Sequence, residues 1–204
     1  MGNAVLTKQQ ILDSAFRLAK DGSAEELTIA AICADVGISK STFYKYFDSK
    51  EALFSNLYGA MEPKILEAIP GILLSGASPL LKYWSIWRYY IDQTAAVGPT
   101  VLVYVAKTGF SQKTHGFFYI NNLAILETQR TLLRQAQEQG EVKNPTEAKA
   151  LHHLILLFLV GRVVEWSHMK APYDYVPAVY KGMMQLLVAS PAFGPADMIG
   201  GKEA

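Results

Sequence analysis

The sequence is short of cysteine, of net charge and of long uncharged runs, and each shortage excludes a class of protein. A single cysteine, Cys33, cannot form an internal disulfide and cannot build a Cys-based zinc site. The 19 Lys and Arg residues are balanced by 18 Asp and Glu residues, so the net charge of +1 does not by itself indicate a nucleic-acid partner. We therefore expect a reducing, cytoplasmic environment and no structural metal.

The uncharged runs are too short to cross a membrane. Long runs such as residues 68–81, 93–106, 150–161 and 182–196 all fall below the roughly 18 apolar residues that a transmembrane helix needs. The N-terminus has no basic flank before an apolar run, which a secretory signal would have. The sequence therefore predicts that the protein neither crosses a membrane nor has a membrane as a partner.

What the chain does have is a globular composition with helical periodicity. Half of the 204 residues are hydrophobic and 18% are charged, which is enough apolar material for a stable core. Apolar residues recur at helical spacing almost throughout, so the predicted fold class is all-α. The expected helices are 7–20, 28–36, 40–47, one starting near Asp48, and 79–93, 99–108, 116–139, 145–169 and 173–189, with Thr7, Thr28, Ser39 and Asn144 as N-caps.

The second and third predicted helices form a helix-turn-helix, because only a short turn around Gly37 separates them. One face of the third helix is apolar, and its other face carries hydroxyl, phenol and ammonium groups. These are Lys40, Ser41, Thr42, Tyr44, Lys45 and Tyr46. Such groups suit a helix in the DNA major groove, where those near its start reach base edges and later ones reach phosphates. The alternative is an ordinary solvated polar face.

The stretch from Gly22 to Phe54 resembles the helix-turn-helix of the TetR family of transcriptional repressors. The matching positions are Gly22, Thr28, Gly37-Ile38-Ser39, Ser41, Thr42-Phe43-Tyr44, Phe47 and Ser49-Lys50-Glu51-Ala52-Leu53. Two positions depart from the family pattern. Cys33 replaces the usual small alanine and is expected to be a buried packing residue, and Ala30 stands where some members have a base-reading arginine.

The resemblance implies roles for individual residues at the DNA. Thr28 would hold a phosphate at the start of the second helix, and Lys50 would clamp the backbone at the start of the fourth. The base-facing positions would be Lys40, Ser41 and Thr42, and the phosphate-facing aromatics Tyr44 and Tyr46. Ser39 and Lys45 complete the expected DNA-binding set.

The resemblance also implies two domains. Residues 1–56 are expected to form an N-terminal, homeodomain-like three-helix DNA-binding domain, and residues 57–190 a helical ligand-binding and dimerisation domain, followed by a flexible tail at 191–204. Aromatic side chains crowd the central helices, with few polar groups among them, which is typical of a pocket for an apolar or aromatic molecule but also of an ordinary core. The candidate ligand-binding residues are Tyr83, Trp84, Trp87, Tyr104, Phe117, Phe118, Asn121 and Trp166.

The last two predicted helices carry more apolar surface than one monomer core needs. The helix at 145–169 is apolar on nearly all sides, so it must be buried from two directions. We predict a four-helix bundle between two copies of the chain, with the interface residues Phe158, Gly161, Arg162, Val179, Met183 and Leu186. The alternative is that both helices simply complete one monomer.

No sequence feature indicates an enzyme or a metal site. There is no Gly-x-Ser-x-Gly motif and no phosphate loop, and the four histidines lack metal-binding spacing. The leading hypothesis is a homodimeric repressor that binds a palindromic operator and is released by a small, mostly apolar effector, with no catalytic residue and no cofactor. The alternative is a TetR-fold protein without an effector that acts through a protein partner as a structural or cell-division regulator. A cavity between the central helices would favour the first, and a filled core the second.

Overall fold

The chain is helical, as expected. The computed structural model describes residues 2–21, 27–59, 61–109, 122–169 and 173–190. Within these ranges the only β-type pairing is one isolated antiparallel bridge between Val142 and Ala189. The all-α prediction is therefore confirmed. The helices are α1 (Gly2–Asp21), α2 (Ile29–Val36), α3 (Lys40–Tyr44), α4 (Lys50–Gly59), α5 (Met61–Leu74), α6 (Pro79–Gly109), α7 (Leu123–Glu138), α8 (Ala148–His168) and α9 (Tyr175–Leu187).

Side-chain caps set the limits of the helices in the predicted helix-turn-helix. The Thr28 hydroxyl accepts a hydrogen bond from the backbone N–H of Ala31 at 3.1 Å, which starts α2. Gly37 adopts φ 74° and ψ 33°, a left-handed conformation that glycine takes without a Cβ penalty, and it ends α2. The Ser39 hydroxyl then accepts from the N–H of Thr42 at 3.1 Å and starts α3. Both N-cap predictions are confirmed.

Three predicted helix limits were wrong. Helix α1 begins at Gly2, so Thr7 lies inside it rather than at its N-cap. Helix α3 ends at Tyr44 instead of Phe47. Helix α8 begins at Ala148, because the carboxylate of Glu147 accepts from the N–H groups of Lys149 and Ala150 at 3.0 and 3.1 Å. A carboxylate at a helix N-terminus satisfies free N–H donors and complements the helix dipole.

The central helices agree with the expectation in part. The two helices predicted at 79–93 and 99–108 correspond to the two segments of α6, which are separated by a kink at the non-helical residue Gly98, where φ is 79° and ψ is 165°. Pro99 follows the kink directly, and a proline restricts the residue before it to non-helical conformations. Helix α7 begins at Leu123, because the Asn122 side chain accepts from the N–H groups of Ala124 and Ile125. The start predicted at Gly116 lies outside the described residues.

The chain divides into two compact units. Unit 1 takes in Met1–Ala60, Thr94–Tyr119 and Val164–Pro172. Helix α1 contacts α2 and α4, and an ion pair between Arg17 and Asp35 joins α1 to α2. The core of these helices consists of Ile11, Ala15, Leu27, Ile32, Cys33, Phe43, Phe47 and Leu53. The burial of Cys33 agrees with the packing role expected for it.

Unit 2 comprises Met61–Gln93, Ile120–Val163 and Tyr173–Ala204. The segment between α7 and α8 is tied to the end of α9, since Asn144 Nδ2 donates to the carbonyl of Leu186 at 2.7 Å. It is also tied to the start of α6, where the N–H of Leu80 donates to the Glu141 carboxylate at 2.8 Å. These contacts hold the ends of α6, α7, α8 and α9 together within the unit.

Helix α8 is long and apolar enough to cross a membrane by length and composition alone. Among the described residues it is the one helix that meets this test, and 39% of its most apolar segment is buried inside the protein. A core helix of a soluble protein meets the same test, so the finding is weak support for a membrane segment.

Candidate nucleic-acid interface

Helix α3 separates an apolar side from a polar side, as the sequence predicts. Phe43 is fully buried and its ring contacts that of Phe47, with centroids 5.8 Å apart. On the other side Lys40, Ser41 and Lys45 are exposed. Tyr44 is 51% exposed and Thr42 and Tyr46 are half-buried. Burial of the two phenylalanines therefore orients the helix so that its donors and cations face outward.

The start of α3 holds two hydroxyl groups in fixed positions. The Ser39 hydroxyl caps the helix, and it also lies 3.0 Å from the Thr42 hydroxyl, within hydrogen-bonding distance. A side chain that is already hydrogen-bonded loses less conformational entropy when it binds a partner. The Thr42 hydroxyl is therefore held in place before it meets a ligand.

The start of α2 brings Thr28 and Lys50 to the same place. Lys50 Nζ, at the first turn of α4, donates to the carbonyl oxygen of Leu27 at 2.5 Å. Leu27 directly precedes Thr28, whose side chain is exposed. A helix N-terminus with free N–H groups, a hydroxyl and an ammonium group nearby is suited to an anion such as a phosphate.

The charges around α3 are positive where the helix is exposed. The helix itself contains Lys40 and no carboxylate, and Lys45 follows it directly. Burial raises the pKa of the Cys33 thiol, and the positive charge of Lys40 opposes this shift. Cys33 is therefore a neutral packing residue at neutral pH, and the basic surface belongs to the lysines.

The candidate ligand-binding aromatics that the structure describes are core residues. In unit 2, Tyr83, Trp84 and Trp87 are each at most 2% exposed. The Trp84 ring meets that of Tyr180 edge-on, with centroids 5.1 Å apart. Trp166 is buried in unit 1. The side chain of Tyr104 and the residues Phe117, Phe118 and Asn121 lie outside the described part of the chain.

Two buried polar residues of unit 2 were missed by the sequence analysis. His152 is 2% exposed, and its Nδ1 lies 3.2 Å from the Tyr83 hydroxyl. Burial lowers the pKa of His152 to about 4, and the nearby positive charge of Arg130 acts in the same direction. Gln129 is fully buried on α7. Both residues lie at helical spacing from apolar residues, as Gln129 does between Ile125 and Leu132. This spacing is the sequence signal that could have predicted their burial.

The predicted interface residues do not share one exposed face. Val179 and Met183 are fully buried, and Leu186 and Phe158 are half-buried. The Phe158 ring packs against Gly182, where an added Cβ would lie 2.3 Å from Cζ. Arg162 lies over the Tyr173 ring at 4.6 Å. Gly161 is exposed and has open space beside it, on the same face of α8 as two exposed leucines, Leu154 (46%) and Leu157 (53%).

Metal binding finds no support in the described residues. Within them, no group of three or more His, Cys, Asp or Glu side chains could hold a metal ion together.

Comparison with known proteins identifies the N-terminal domain and the fold. Residues 11–57 match the family model described as "Bacterial regulatory proteins, tetR family". A curated relative, the nucleoid occlusion factor SlmA of Colwellia psychrerythraea, is 25% identical over 189 residues, which cover 90% of this chain and 93% of the relative. The helix-turn-helix is therefore of the TetR type.

Two solved structures show the same all-α fold over nearly the whole chain. The regulatory protein TetR from Rhodobacter sphaeroides has a TM-score of 0.58 and 17% identity, covering 89% of this chain and 98% of its own. The transcriptional repressor FadR of Thermus thermophilus, solved in complex with lauroyl-CoA, has a TM-score of 0.57 and 17% identity, covering 92% and 99%. The fold predicted from the resemblance, a helix-turn-helix followed by further helices, is confirmed.

Proposed function

We propose that this chain, whose N-terminal domain is of the TetR type, is a cytoplasmic DNA-binding transcriptional repressor without enzymatic activity. The observation that carries the proposal is the exposed polar side of α3, where Lys40 and Ser41 are free of the core and the Ser39 cap holds Thr42 in place. This is a set of donors at the start of a helix, which is the part of a recognition helix that reaches base edges.

The polar groups of this interface have two roles: some determine the sequence preference, and the others position the protein on the duplex. Lys40, Ser41 and Thr42 contact bases, and Tyr44, Lys45 and Tyr46 contact phosphates farther along the groove. Thr28 and Lys50 bind a phosphate at the start of α2. Phosphate contacts fix the orientation of the protein on the duplex and carry no sequence information.

The repressor acts as a homodimer on a near-palindromic operator. The exposed stripe of Leu154, Leu157 and Gly161 on α8 supports this, because leucines with half of their surface in water gain from contact with a second copy. Two-fold symmetry would place the recognition helices in half-sites about 34–36 Å apart.

A small, mostly apolar effector releases the repressor from DNA. The lauroyl-CoA complex of the Thermus thermophilus repressor supports this, since that protein shares the fold and holds a molecule with an apolar chain. The effector would act by binding more tightly to dimers whose recognition helices are wrongly spaced, and operator DNA would weaken its binding by the same factor.

A second candidate function is regulation through a protein partner without a small effector. Two observations favour it. The rings of unit 2 contact one another directly, as Trp87 and His152 do, which is the arrangement of a filled core. The curated relative is named as a nucleoid occlusion factor.

The proposal is tested by selecting duplexes from a random pool and comparing variants on the selected sequence. We expect a near-palindromic sequence, and Lys40→Ala or Thr42→Val should lower the preference for it by about 1–3 kcal/mol per lost base contact. Lys64→Ala, at an exposed position of α5, is the matched control. Failure to enrich any sequence, with equal binding of all duplexes, would contradict the repressor proposal.

A further inference from the structure

Helix α5 of unit 2 carries apolar residues on its outer side as well as on its inner side. Ile65 is fully buried, whereas Leu66 is 38%, Leu73 42% and Leu74 87% exposed. Leu66, Pro70 and Leu73 are four and three residues apart, so they lie in one row along the helix, with Leu74 beside the end of the row. We call these four residues the α5 stripe. A surface helix normally has polar residues on its outer side, so the stripe is suited to a partner.

The α5 stripe also contains a backbone acceptor. Pro70 lies inside the helix and has no N–H group. The carbonyl oxygen of Leu66, four residues earlier, therefore has no helical donor at position i+4. A peptide that lies along the stripe can donate a backbone N–H to this oxygen while its apolar side chains cover the leucines. The stripe thus fits an apolar segment of polypeptide.

The last described residue, Ser190, lies close to the end of α5. Its N–H donates to the carbonyl oxygen of Glu141 at 2.9 Å. The Glu141 carboxylate accepts from the N–H of Leu80 at 2.8 Å, so a single residue connects Ser190 to the first turn of α6. From that turn, Lys82 Nζ donates to the carbonyl oxygen of Leu73 at 2.9 Å. The segment that follows Ser190 therefore starts near the last turn of α5.

The segment 191–204 has an apolar composition that suits the stripe. It contains Phe193, Met198 and Ile199, and no charged residue precedes Asp197. The nine residues from Ser190 to Ile199 can extend over about 30 Å, whereas the stripe is only about 12 Å long. The segment is therefore long enough to follow the whole stripe.

We propose that the segment 191–204 binds the α5 stripe of its own chain and covers it. Phe193 packs on Leu73 and Leu74, Met198 reaches Leu66, and a backbone N–H of the segment donates to the Leu66 carbonyl. Both partners belong to one chain, so their effective concentration is high and a modest contact area is enough to hold the segment in place. The contact is independent of DNA binding and of an effector, since it involves neither the helix-turn-helix nor the interior of unit 2.

The proposal is tested on the full chain with a nitroxide spin label at Asp197→Cys. Cys33→Ala in the same chain leaves a single thiol for the label. The leucine methyl groups are isotopically labelled, and the resonances of Leu66, Leu73 and Leu154 are identified by single Leu→Ile substitutions. The chain is mixed with an excess of unlabelled chain and allowed to exchange subunits, so that any broadening by the nitroxide arises within one chain.

We expect the methyl resonances of Leu66 and Leu73 to be broadened and to recover when the nitroxide is reduced. Leu74→Asp should abolish the broadening, because a carboxylate would have to be desolvated in the contact. Leu123→Asp, at a leucine of α7 that is 68% exposed, is the matched control and should preserve it.

Three results would each overturn the proposal. An absence of broadening would show that the segment does not bind the stripe. Broadening that disappears on mixing with unlabelled chain would mean that the stripe holds the segment of a second copy instead. Stronger broadening of Leu154 than of Leu73 would place the segment on α8.

Discussion

Lys50 donates a hydrogen bond from its ammonium group to the backbone carbonyl of Leu27, with 2.5 Å between Nζ and the oxygen. The contact joins the first turn of α4 to the residue that precedes the Thr28 cap of α2. A lysine with three N–H groups can hold a carbonyl with one and direct others toward a phosphate. Lys50 would thus both stabilise the helix-turn-helix and contribute to DNA binding.

The first prediction concerns this lysine. Lys50→Ala should weaken the binding of all duplexes alike and lower the slope of log affinity against log salt by about one for each subunit, because one phosphate contact is lost. Titrations of operator and random duplexes at several salt concentrations measure both effects. Lys64→Ala is the control. An unchanged salt slope would mean that Lys50 serves the fold alone.

The second prediction concerns the close contact of α8 and α9. Gly182→Ala would bring a Cβ to 2.3 Å from Phe158 Cζ, so the ring must move. We expect a loss of about 1–3 kcal/mol in the free energy of unfolding, measured by urea titration. Phe158→Leu in the same chain should recover part of it, because the smaller side chain leaves room for the methyl group.

Gly71→Ala, in the interior of α5, is the matched control, since an added Cβ there has nothing within 4 Å. It should be neutral or stabilise the chain by up to about 1 kcal/mol, as alanine favours a helix interior. If both substitutions lowered the free energy of unfolding equally, the contact with Phe158 would not be the cause of the loss.

The helix-turn-helix could be predicted almost completely from the sequence because its signals are local. Thr28, Gly37 and Ser39 act within three residues of their own positions, through a cap or a left-handed turn. The limits of α1 and α8 could not be predicted in this way. Thr7 is a good cap residue, but the apolar stripe of α1 continues before it. Asn144 was the predicted cap of α8, but its side chain accepts from the N–H of Thr146, and the Glu147 carboxylate accepts from the first turn of the helix.

The residues of unit 2 were harder to interpret because their roles depend on distant partners. Aromatic composition placed Tyr83, Trp84 and Trp87 in the interior, but it could not show that Trp87 would stack on His152, 65 positions away in the chain. Similarly, Gly161 was predicted to lie at a helix contact because it is a small residue on an apolar helix. The close contact within the chain lies instead at Gly182, and nothing in the sequence indicates that Phe158 packs against this glycine.

The third prediction concerns the pH dependence of stability. The pKa of His152 is lowered from 6.5 to about 4 in the folded chain, chiefly by burial. Between these values the unfolded chain binds a proton that the folded chain does not, so stability is complete above pH 6.5 and falls as the pH drops toward 4. The slope should approach about 1.4 kcal/mol per pH unit.

The difference between the wild-type chain and His152→Gln isolates this contribution from that of the carboxylates. Urea titrations from pH 7 to pH 4 should give a shallower loss of stability for the variant. His168→Gln, at an exposed position of the same helix, should retain the wild-type slope. Parallel curves for the wild type and His152→Gln would show that His152 binds its proton equally in the folded and the unfolded chain.

The last prediction concerns the stability cost of the buried amide. Both amide atoms of Gln129 are buried without partners in the described chain, and leucine of similar volume has no polar atom to desolvate. Gln129→Leu should therefore raise the free energy of unfolding by about 1–3 kcal/mol, whereas Gln135→Leu at an exposed site should change it by less than about 0.5 kcal/mol. Destabilisation by Gln129→Leu would instead show that the amide is satisfied in solution and that its role is structural.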